Sequence, residues 1–294
     1  MSKIQKALGI LREGGDTSAA EQANENTSGG EIKPAKVRVR RSSTERLPRR
    51  YIAEDMVPDE QPPAYTIAVD MDRLRKEGLR PREEDLDVVA QQFRRIKRPV
   101  LNTAFDVAGT GEEDANVIML ASALPKSGKS FCTFNLAVSI ARERDVGAVL
   151  VDADVLKPNI SRAFGLEERI GLIDYLLDSS VALDSVLVGT DVHDIVVVPA
   201  GARHEEATEL LASRRMKHFL HELSERYAAR VIVVDTPPLL LTNEARVLAD
   251  NMGQIVMVIE AGETSQESTL NAISSLNRSK PINAILNKAR TGSY

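Results

Sequence analysis

An apolar run that breaks into a turn of small and basic residues constrains this chain more than any other stretch. The run begins at Val117, and the turn ends in Gly128, Lys129 and Ser130. A buried strand, converging backbone N–H groups, a lysine and a hydroxyl group are what binding of a nucleotide phosphate tail with Mg²⁺ requires. The residues that follow have helical spacing, which would place the phosphates at a helix N-terminus. The stretch predicts a phosphate-binding loop, and the alternative is an ordinary strand–turn–helix corner.

Composition limits the classes of protein to which the chain can belong. Its 294 residues include one cysteine, Cys132, which excludes an internal disulfide framework and fits a reducing compartment. The net charge of −5 argues against a general nucleic-acid binder. No apolar run approaches the roughly 20 residues that span a bilayer. We therefore expect a soluble, cytoplasmic protein that reaches a membrane only through a partner.

The chain is expected to consist of one core domain with extensions at both ends. Residues 1–12 have an apolar helical face and predict an amphipathic peptide, which either docks on a surface or frays. Residues 13–64 are rich in small polar residues and predict a disordered linker. Its basic run, residues 36–50, is a solvated tether or contacts anionic lipid or nucleic acid. The core domain is expected over residues 65–290, followed by a tail, residues 291–294.

A helix is expected at the entrance to the core domain, over residues 81–98. It has an acidic first turn and a basic last turn, and both suit the helix dipole. Pro99 is expected to end it. Its apolar face, which includes Phe93 and Ile96, must be buried against the core or a neighbouring subunit.

Apolar strands alternate with helical segments after the loop. This pattern predicts an α/β fold with a mostly parallel sheet flanked by helices. The strand candidates are Ala148–Val151, Ile195–Val198, Val231–Val234, Ile255–Ile259 and Ile282–Leu286.

Two of these strands end in acidic residues. Asp152 and Asp154 follow one strand, and Asp235 follows another. Because the carboxyl ends of strands line the ligand crevice of an open α/β sheet, we expect all three carboxylates to face Mg²⁺ and the phosphates. A lone aspartate after an apolar run is otherwise a turn residue or a helix cap.

These motifs resemble those of the bacterial tyrosine kinases of exopolysaccharide loci, and among them the exosortase-associated tyrosine autokinases. The resemblance covers about residues 94–288. The residues that carry it are Arg95-Ile96-Lys97-Arg98-Pro99, the Walker A loop ending Gly128-Lys129-Ser130, the second acidic motif Asp152-Ala153-Asp154-Val155-Leu156-Lys157-Pro158, Pro199-Ala200-Gly201, Glu209-Leu210-Leu211-Ala212-Ser213, the Walker B motif Asp235-Thr236-Pro237-Pro238-Leu239-Leu240, and Leu286-Asn287-Lys288.

The resemblance implies a P-loop NTPase fold of deviant Walker type and an ATP-dependent protein-tyrosine autokinase that controls exopolysaccharide synthesis, export and chain length. ATP and Mg²⁺ are the implied cofactors. The expected catalytic residues are Lys129, Asp152 and Asp154, and the expected metal ligands are Ser130, Asp152 and Asp235. The expected nucleotide contacts are Ser127, Gly128, Lys129, Ser130, Phe131 and, at the adenine, Asn287. The expected phosphate acceptor is Tyr294, with Tyr51 and Tyr65 as competitors.

The implied partner is the cytoplasmic tail of a separate inner-membrane polysaccharide co-polymerase, or chain-length protein, which would activate the kinase and hold it at the membrane periphery. A homo-oligomer without nucleic acid is also expected. Gln91, Arg94 and Lys97 stand where relatives have a Glu-x-x-Arg-x-x-Arg assembly motif. Leu156 stands where many relatives have an arginine, and the chain ends in a single tyrosine where relatives often have a cluster.

Two other functions remain open on the sequence. One is a weakly catalytic, nucleotide-binding regulator of the polysaccharide machinery. The other is a switching ATPase of the partition or division-site type, although Leu124 occupies the position of that family's signature lysine. Comparing ATP hydrolysis with protein phosphorylation separates all three functions.

Overall fold

The computed structural model of the chain describes residues 62–105, 114–277 and 279–289, apart from the side chain of Glu244. The N-terminal peptide, all but the end of the linker, and the C-terminal tail therefore lie outside the described residues, as do Tyr51 and Tyr294. None of the helices within the described ranges is both long enough and apolar enough to cross a lipid bilayer.

Strands and helices alternate along most of the described chain. The strands are β1 (Thr66–Ile67), β2 (Val117–Ala121), β3 (Gly147–Asp152), β4 (Val188–Thr190), β5 (Ile195–Val198), β6 (Arg230–Asp235), β7 (Gln254–Glu260) and β8 (Ile282–Asn287). The helices are α1 (Met71–Lys76), α2 (Leu86–Ala104), α3 (Lys129–Ala141), α4 (Asn159–Phe164), α5 (Leu172–Leu177), α6 (Leu183–Val186), α7 (Ala207–Leu211), α8 (Arg214–Arg226), α9 (Asn243–Asp250) and α10 (Gln266–Ser274).

The strands form one sheet in the order β1-β4-β5-β3-β6-β2-β7-β8. All neighbours are parallel except β4 and β5, which pair antiparallel. The expected mostly parallel sheet is therefore confirmed, and each predicted strand lies within one residue of its observed ends. The sequence did not predict β1 and β4, because strands of two and three residues give no periodic signal.

Helices cover both faces of the sheet, because the central strands are apolar on both sides. In β3, Ala148 and Leu150 pack on the face that α1 to α4 cover. The alternate residues Val149 and Val151 pack on the face covered by α5 to α10. Burial on both faces fixes the register of the central strands and so the position of the residues that follow them.

The expected end of the entry helix at residue 98 is wrong, because α2 continues through Pro99 to Ala104. A proline inside a helix removes one backbone hydrogen bond and costs about 3 kcal/mol. The residues that follow continue the apolar face of the helix and are buried, so their burial offsets that cost. These residues are Val100, Leu101 and Ala104. The helix also begins later than expected, since Glu83–Asp85 form a turn of 3₁₀ helix before it.

Candidate functional site

The phosphate-binding loop connects β2 to α3 at the carboxyl edge of the sheet. Within it, the hydroxyl groups of Ser122 and Ser127 both donate to the carbonyl oxygen of Leu124, at 2.7 and 3.2 Å. Gly128 ends the loop with φ of 87°, a left-handed conformation that favours glycine, and α3 begins at Lys129. The unpaired N–H groups of the first helical turn therefore face the loop, which is the arrangement that binds phosphate.

Two carboxylates lie side by side at this edge. Asp152 ends β3 and is in register with Asp235, which ends β6, the strand between β3 and β2. The backbone N–H and the hydroxyl group of Ser161 both donate to Asp152 Oδ2 at 2.7 Å. The hydroxyl group of Thr133, on α3, donates to Asp235 Oδ1 at 3.2 Å. Asp152 is thus held by α4, and Asp235 is held by α3, the helix that follows the loop.

Burial and mutual repulsion raise the pKa values of the acidic residues at this edge. Burial, then the charge of Asp235, raises the pKa of Asp152 to about 8. The same two causes raise the pKa of Asp154 to about 6, and the charge of Lys129 offsets part of the rise. Burial also raises the pKa of Asp235, although Lys129 and the hydroxyl groups of Ser130 and Thr133 oppose it. A cluster of this kind is stabilised by added positive charge.

The donor set fits a magnesium ion. Asp152 Oδ1 and Asp235 Oδ2 are buried and accept no hydrogen bond from the described residues. No group of three or more His, Cys, Asp or Glu side chains in the described part of the chain is arranged to hold a metal by itself. Mg²⁺ prefers oxygen ligands and takes only one or two carboxylates, with phosphates and water completing its shell. Two open carboxylate oxygens beside a phosphate-binding loop match that preference.

Sequence reasoning missed three polar residues that support the site. Thr133 and Ser161 hold the two buried carboxylates, and Asn159 Nδ2 lies 3.4 Å from the hydroxyl oxygen of Ser130. Thr133 could have been found, since it lies one helical turn after Lys129 and presents a second hydroxyl group on the same face. Nothing in the sequence marks Ser161 or Asn159, because their contacts depend on how α4 packs beside β3.

The structure brings the predicted nucleotide and metal residues together. Ser127 is buried in the loop, and Lys129 is buried at the start of α3. Phe131 packs edge-on against Phe93 of α2, with ring centroids 6.3 Å apart. Asn287, at the end of β8, reaches the loop, where its Nδ2 donates to the carbonyl oxygen of Ser127 at 2.8 Å. The competing acceptor Tyr65 lies just before β1, 45% exposed, with the guanidinium of Arg169 4.0 Å from its ring centroid.

Several known proteins with similar sequences are named as tyrosine kinases. The chain is 32% identical over 200 residues to tyrosine-protein kinase YwqD of Bacillus subtilis, an alignment that covers 67% of this chain and 80% of YwqD. It is 30% identical over 203 residues to the succinoglycan biosynthesis transport protein ExoP of Rhizobium meliloti, which covers 68% of this chain but only 25% of ExoP. No family model matches the chain.

Solved structures of kinase domains also superimpose on the chain. The BceF tyrosine kinase domain superimposes with a TM-score of 0.58 at 26% identity, and the alignment covers 76% of this chain and 92% of that domain. The kinase domain of VpsO superimposes with a TM-score of 0.58 at 24% identity, which extends the likeness in fold. With the loop and the paired acidic strands in the expected places, the chain belongs to the bacterial tyrosine kinase family.

Proposed function

We propose that this chain is a protein-tyrosine kinase that uses ATP and Mg²⁺, phosphorylates copies of itself, and acts in the synthesis or export of an exopolysaccharide. The observation that carries the proposal is the pair Asp152 and Asp235, whose open oxygens lie beside a phosphate-binding loop. Membership of the tyrosine kinase family supports tyrosine as the acceptor. The similarity to ExoP, named for succinoglycan biosynthesis and transport, supports the link to exopolysaccharide synthesis and export.

Phosphoryl transfer depends mainly on placement of the reactants and neutralisation of charge. Lys129, 7% exposed at the start of α3, would neutralise the phosphate tail. Bound Mg²⁺ would neutralise part of the negative charge of the phosphates. The residues that would hold it are Ser130, Asp152 and Asp235. The phosphate oxygens would accept hydrogen bonds from the backbone around Ser127, Gly128, Lys129, Ser130 and Phe131.

A tyrosine hydroxyl group is neutral at pH 7, so its proton must leave during the reaction. As the phenolic oxygen bonds to the γ-phosphorus, the bond from that phosphorus to the ADP oxygen breaks and the proton passes to a base. We assign the base to Asp152 or Asp154, the two carboxylates at the end of β3. Asp154 is 8% exposed and lies close to Lys129.

Asn287 would contact the adenine ring through its amide oxygen. Its Nδ2 already donates to Ser127 in the loop, so Oδ1 is the atom that would accept a hydrogen bond from the exocyclic amine of adenine. Such a contact would favour ATP over GTP, which carries an acceptor at the corresponding position of its base.

The acceptor tyrosine is proposed to be Tyr294, reached in trans by a second copy of the chain. The preceding residues Thr291, Gly292 and Ser293 are small, as suits a tail that enters a neighbour's site. Transfer between copies requires self-association, and we propose a homo-oligomer. The added phosphate carries about two negative charges, which would weaken docking of the tail beside acidic residues.

A separate membrane protein is the proposed activator. The alignment with ExoP leaves three quarters of that protein without a counterpart in this chain. We propose that the cytoplasmic tail of an inner-membrane co-polymerase binds the kinase, so that the kinase is cytoplasmic and peripheral to the membrane. Residues 1–12 would be a docking peptide, residues 13–64 a tether, residues 65–290 the kinase domain and residues 291–294 the acceptor tail.

The test is a parallel measurement of ADP release and phosphotyrosine on the purified full chain with Mg-ATP. A kinase would release ADP and form phosphotyrosine on the chain, and Lys129→Met should form neither product. ADP release without phosphotyrosine would instead identify a switching ATPase. Nucleotide binding without either product, also after addition of candidate co-polymerase tails, would identify a regulator and overturn the proposal.

A further inference from the structure

Two hydrogen bonds connect the end of β8 to the phosphate-binding loop. Asn287 Nδ2 donates to the carbonyl oxygen of Ser127, and Lys288 Nζ donates to the carbonyl oxygen of Lys126, each at 2.8 Å. The same ammonium group lies 2.8 Å from Glu260 Oε1, at the end of β7. Two successive carbonyl groups of the loop are thus held by residues more than 150 positions later in the chain.

Holding these carbonyl groups also directs the N–H groups that follow them. In a planar trans peptide, the C=O and the next N–H point in opposite directions, and the described chain contains no cis peptide. The N–H groups of Ser127 and Gly128 therefore point away from Asn287 and Lys288. Successive N–H groups on one side of a turn form the concavities in which such loops bind phosphate.

Two residues at these hydrogen bonds have left-handed backbone conformations, which need support from neighbouring groups. Lys126 and Lys288 have φ of 67° and 56°, in the left-handed region that lysine rarely adopts. A Cβ atom on Gly128 would lie 2.2 Å from Asn287 Nδ2, so the amide packs directly on the loop. Left-handed residues of this kind persist where neighbouring groups hold them, and they cluster at ligand sites.

We propose that Glu260, Asn287 and Lys288 form a clamp that keeps the phosphate-binding loop in the shape that binds phosphate. They are positioning residues: Lys288 and Asn287 act through the backbone of the loop, and Glu260 acts by orienting Lys288. The proposal rests on the proposed nucleotide site. It also predicts that Glu260 and Lys288 affect the binding of phosphate groups irrespective of the base attached to them.

The test uses inorganic tripolyphosphate, which carries the phosphates of ATP without a base. Its affinity and that of ATP, both with Mg²⁺, are measured by calorimetry on the full chain and on single variants. Lys288→Met should weaken both ligands equally, by about three- to tenfold, since it removes one charge-assisted hydrogen bond from a partly exposed site. Glu260→Gln should weaken both by a smaller factor, and Lys288→Arg should restore part of the loss. Lys280→Met, just before the opposite end of β8, is the matched control and should change neither.

Several outcomes would overturn the clamp. If Lys288→Met binds tripolyphosphate as the wild type does, the clamp is wrong while the nucleotide site stands. If the variant loses affinity for ATP alone, the residues act on the base and the clamp is again wrong. If the wild type binds neither ligand, the proposed function itself fails. Thermal unfolding without ligand shows whether each variant is folded, and Glu260→Gln and Lys288→Arg decide the question if Lys288→Met is not.

Discussion

Asp152 and Asp235 lie next to each other at the ends of two paired strands, and burial raises the pKa of both carboxyl groups. An acid whose pKa is higher in the folded than in the unfolded protein binds its proton more tightly when folded. Ionisation of such a group therefore destabilises the fold, and stability falls as the pH rises between the two pKa values. A bound cation would remove this penalty, so residues suited to Mg²⁺ weaken the protein without it.

Replacing Asp152 by asparagine tests this trade-off. The pKa of Asp152 is about 8 in the folded protein against an ordinary 3.8, so the wild type loses stability across that interval. Without metal, Asp152→Asn should be more stable than the wild type by several kcal/mol above pH 8 and about equal below pH 4. Mg-ADP should raise the melting temperature of the wild type, and this rise should be lost in Asp152→Asn. A variant that is less stable at high pH, or that keeps the full Mg-ADP effect, would contradict this account.

Gly128 is constrained by its backbone conformation and by the side chain packed against it, and variants of two glycines can separate these two effects. Its φ of 87° disfavours any side chain, and a Cβ atom there would collide with Asn287. Gly262 has a similar φ of 79° but nothing within 4 Å. Gly262→Ala should therefore cost only the backbone strain, about 1 kcal/mol, and leave nucleotide binding intact. Gly128→Ala should cost more in chemical unfolding and abolish ADP binding, and equal effects of the two would contradict the close packing of Asn287.

Among the elements, α2 and α3 are joined by a buried lysine. Lys97 is 4% exposed, and its Nζ lies 2.5 Å from the carbonyl oxygen of Ser139 and 2.6 Å from Glu143 Oε1. This position matches the last arginine of the assembly motif in relatives, yet here the side chain faces its own domain. Gln91 and Arg94, at the two other positions, are exposed and remain accessible to a second copy.

Lys97→Met should destabilise the protein, because it leaves Glu143 and the end of α3 without their partner. We expect a loss of about 1–3 kcal/mol in the free energy of unfolding, measured with urea. Arg94→Met, one helical turn earlier on the exposed face, should stay within about 0.5 kcal/mol of the wild type. If both variants behave alike, Lys97 does not anchor the two helices.

Helices and strands could be predicted where the sequence has a continuous or periodic apolar pattern. They could not be predicted where they depend on contacts between segments far apart in the sequence. The buried strands and the loop are marked by continuous apolar runs and by the spacing of Gly128, Lys129 and Ser130. A proline usually ends a helix, but α2 continues through Pro99 because the apolar residues that follow it are buried. The contacts of Ser161 and Lys288 join segments that only the order of the strands brings together.

For the whole molecule, the proposed transfer to Tyr294 requires that one copy act on another. All residues of the proposed nucleotide and metal site lie within the described part of the chain, whereas the proposed acceptor Tyr294 lies outside it. Mixing two variants tests transfer between copies: Tyr294→Phe keeps the site and lacks the acceptor, and Lys129→Met keeps the acceptor and lacks the site. Phosphotyrosine should appear on the Lys129→Met chain, distinguished by a size tag, only in the mixture. Its absence, with a wild type that phosphorylates itself, would mean that transfer occurs within one chain.

The most direct test of the central claim is transfer of the γ-phosphate of labelled ATP to tyrosine in the purified wild-type chain. We expect phosphotyrosine that depends on Mg²⁺, maps mainly to Tyr294, is absent from Lys129→Met and is retained by Lys280→Met. Label at Tyr51 or Tyr65 alone would still identify a kinase, but its acceptor would be that tyrosine and not Tyr294. A wild type that binds Mg-ATP and its candidate activating tails but forms no phosphotyrosine, or a Lys129→Met chain labelled as strongly as the wild type, would contradict the account.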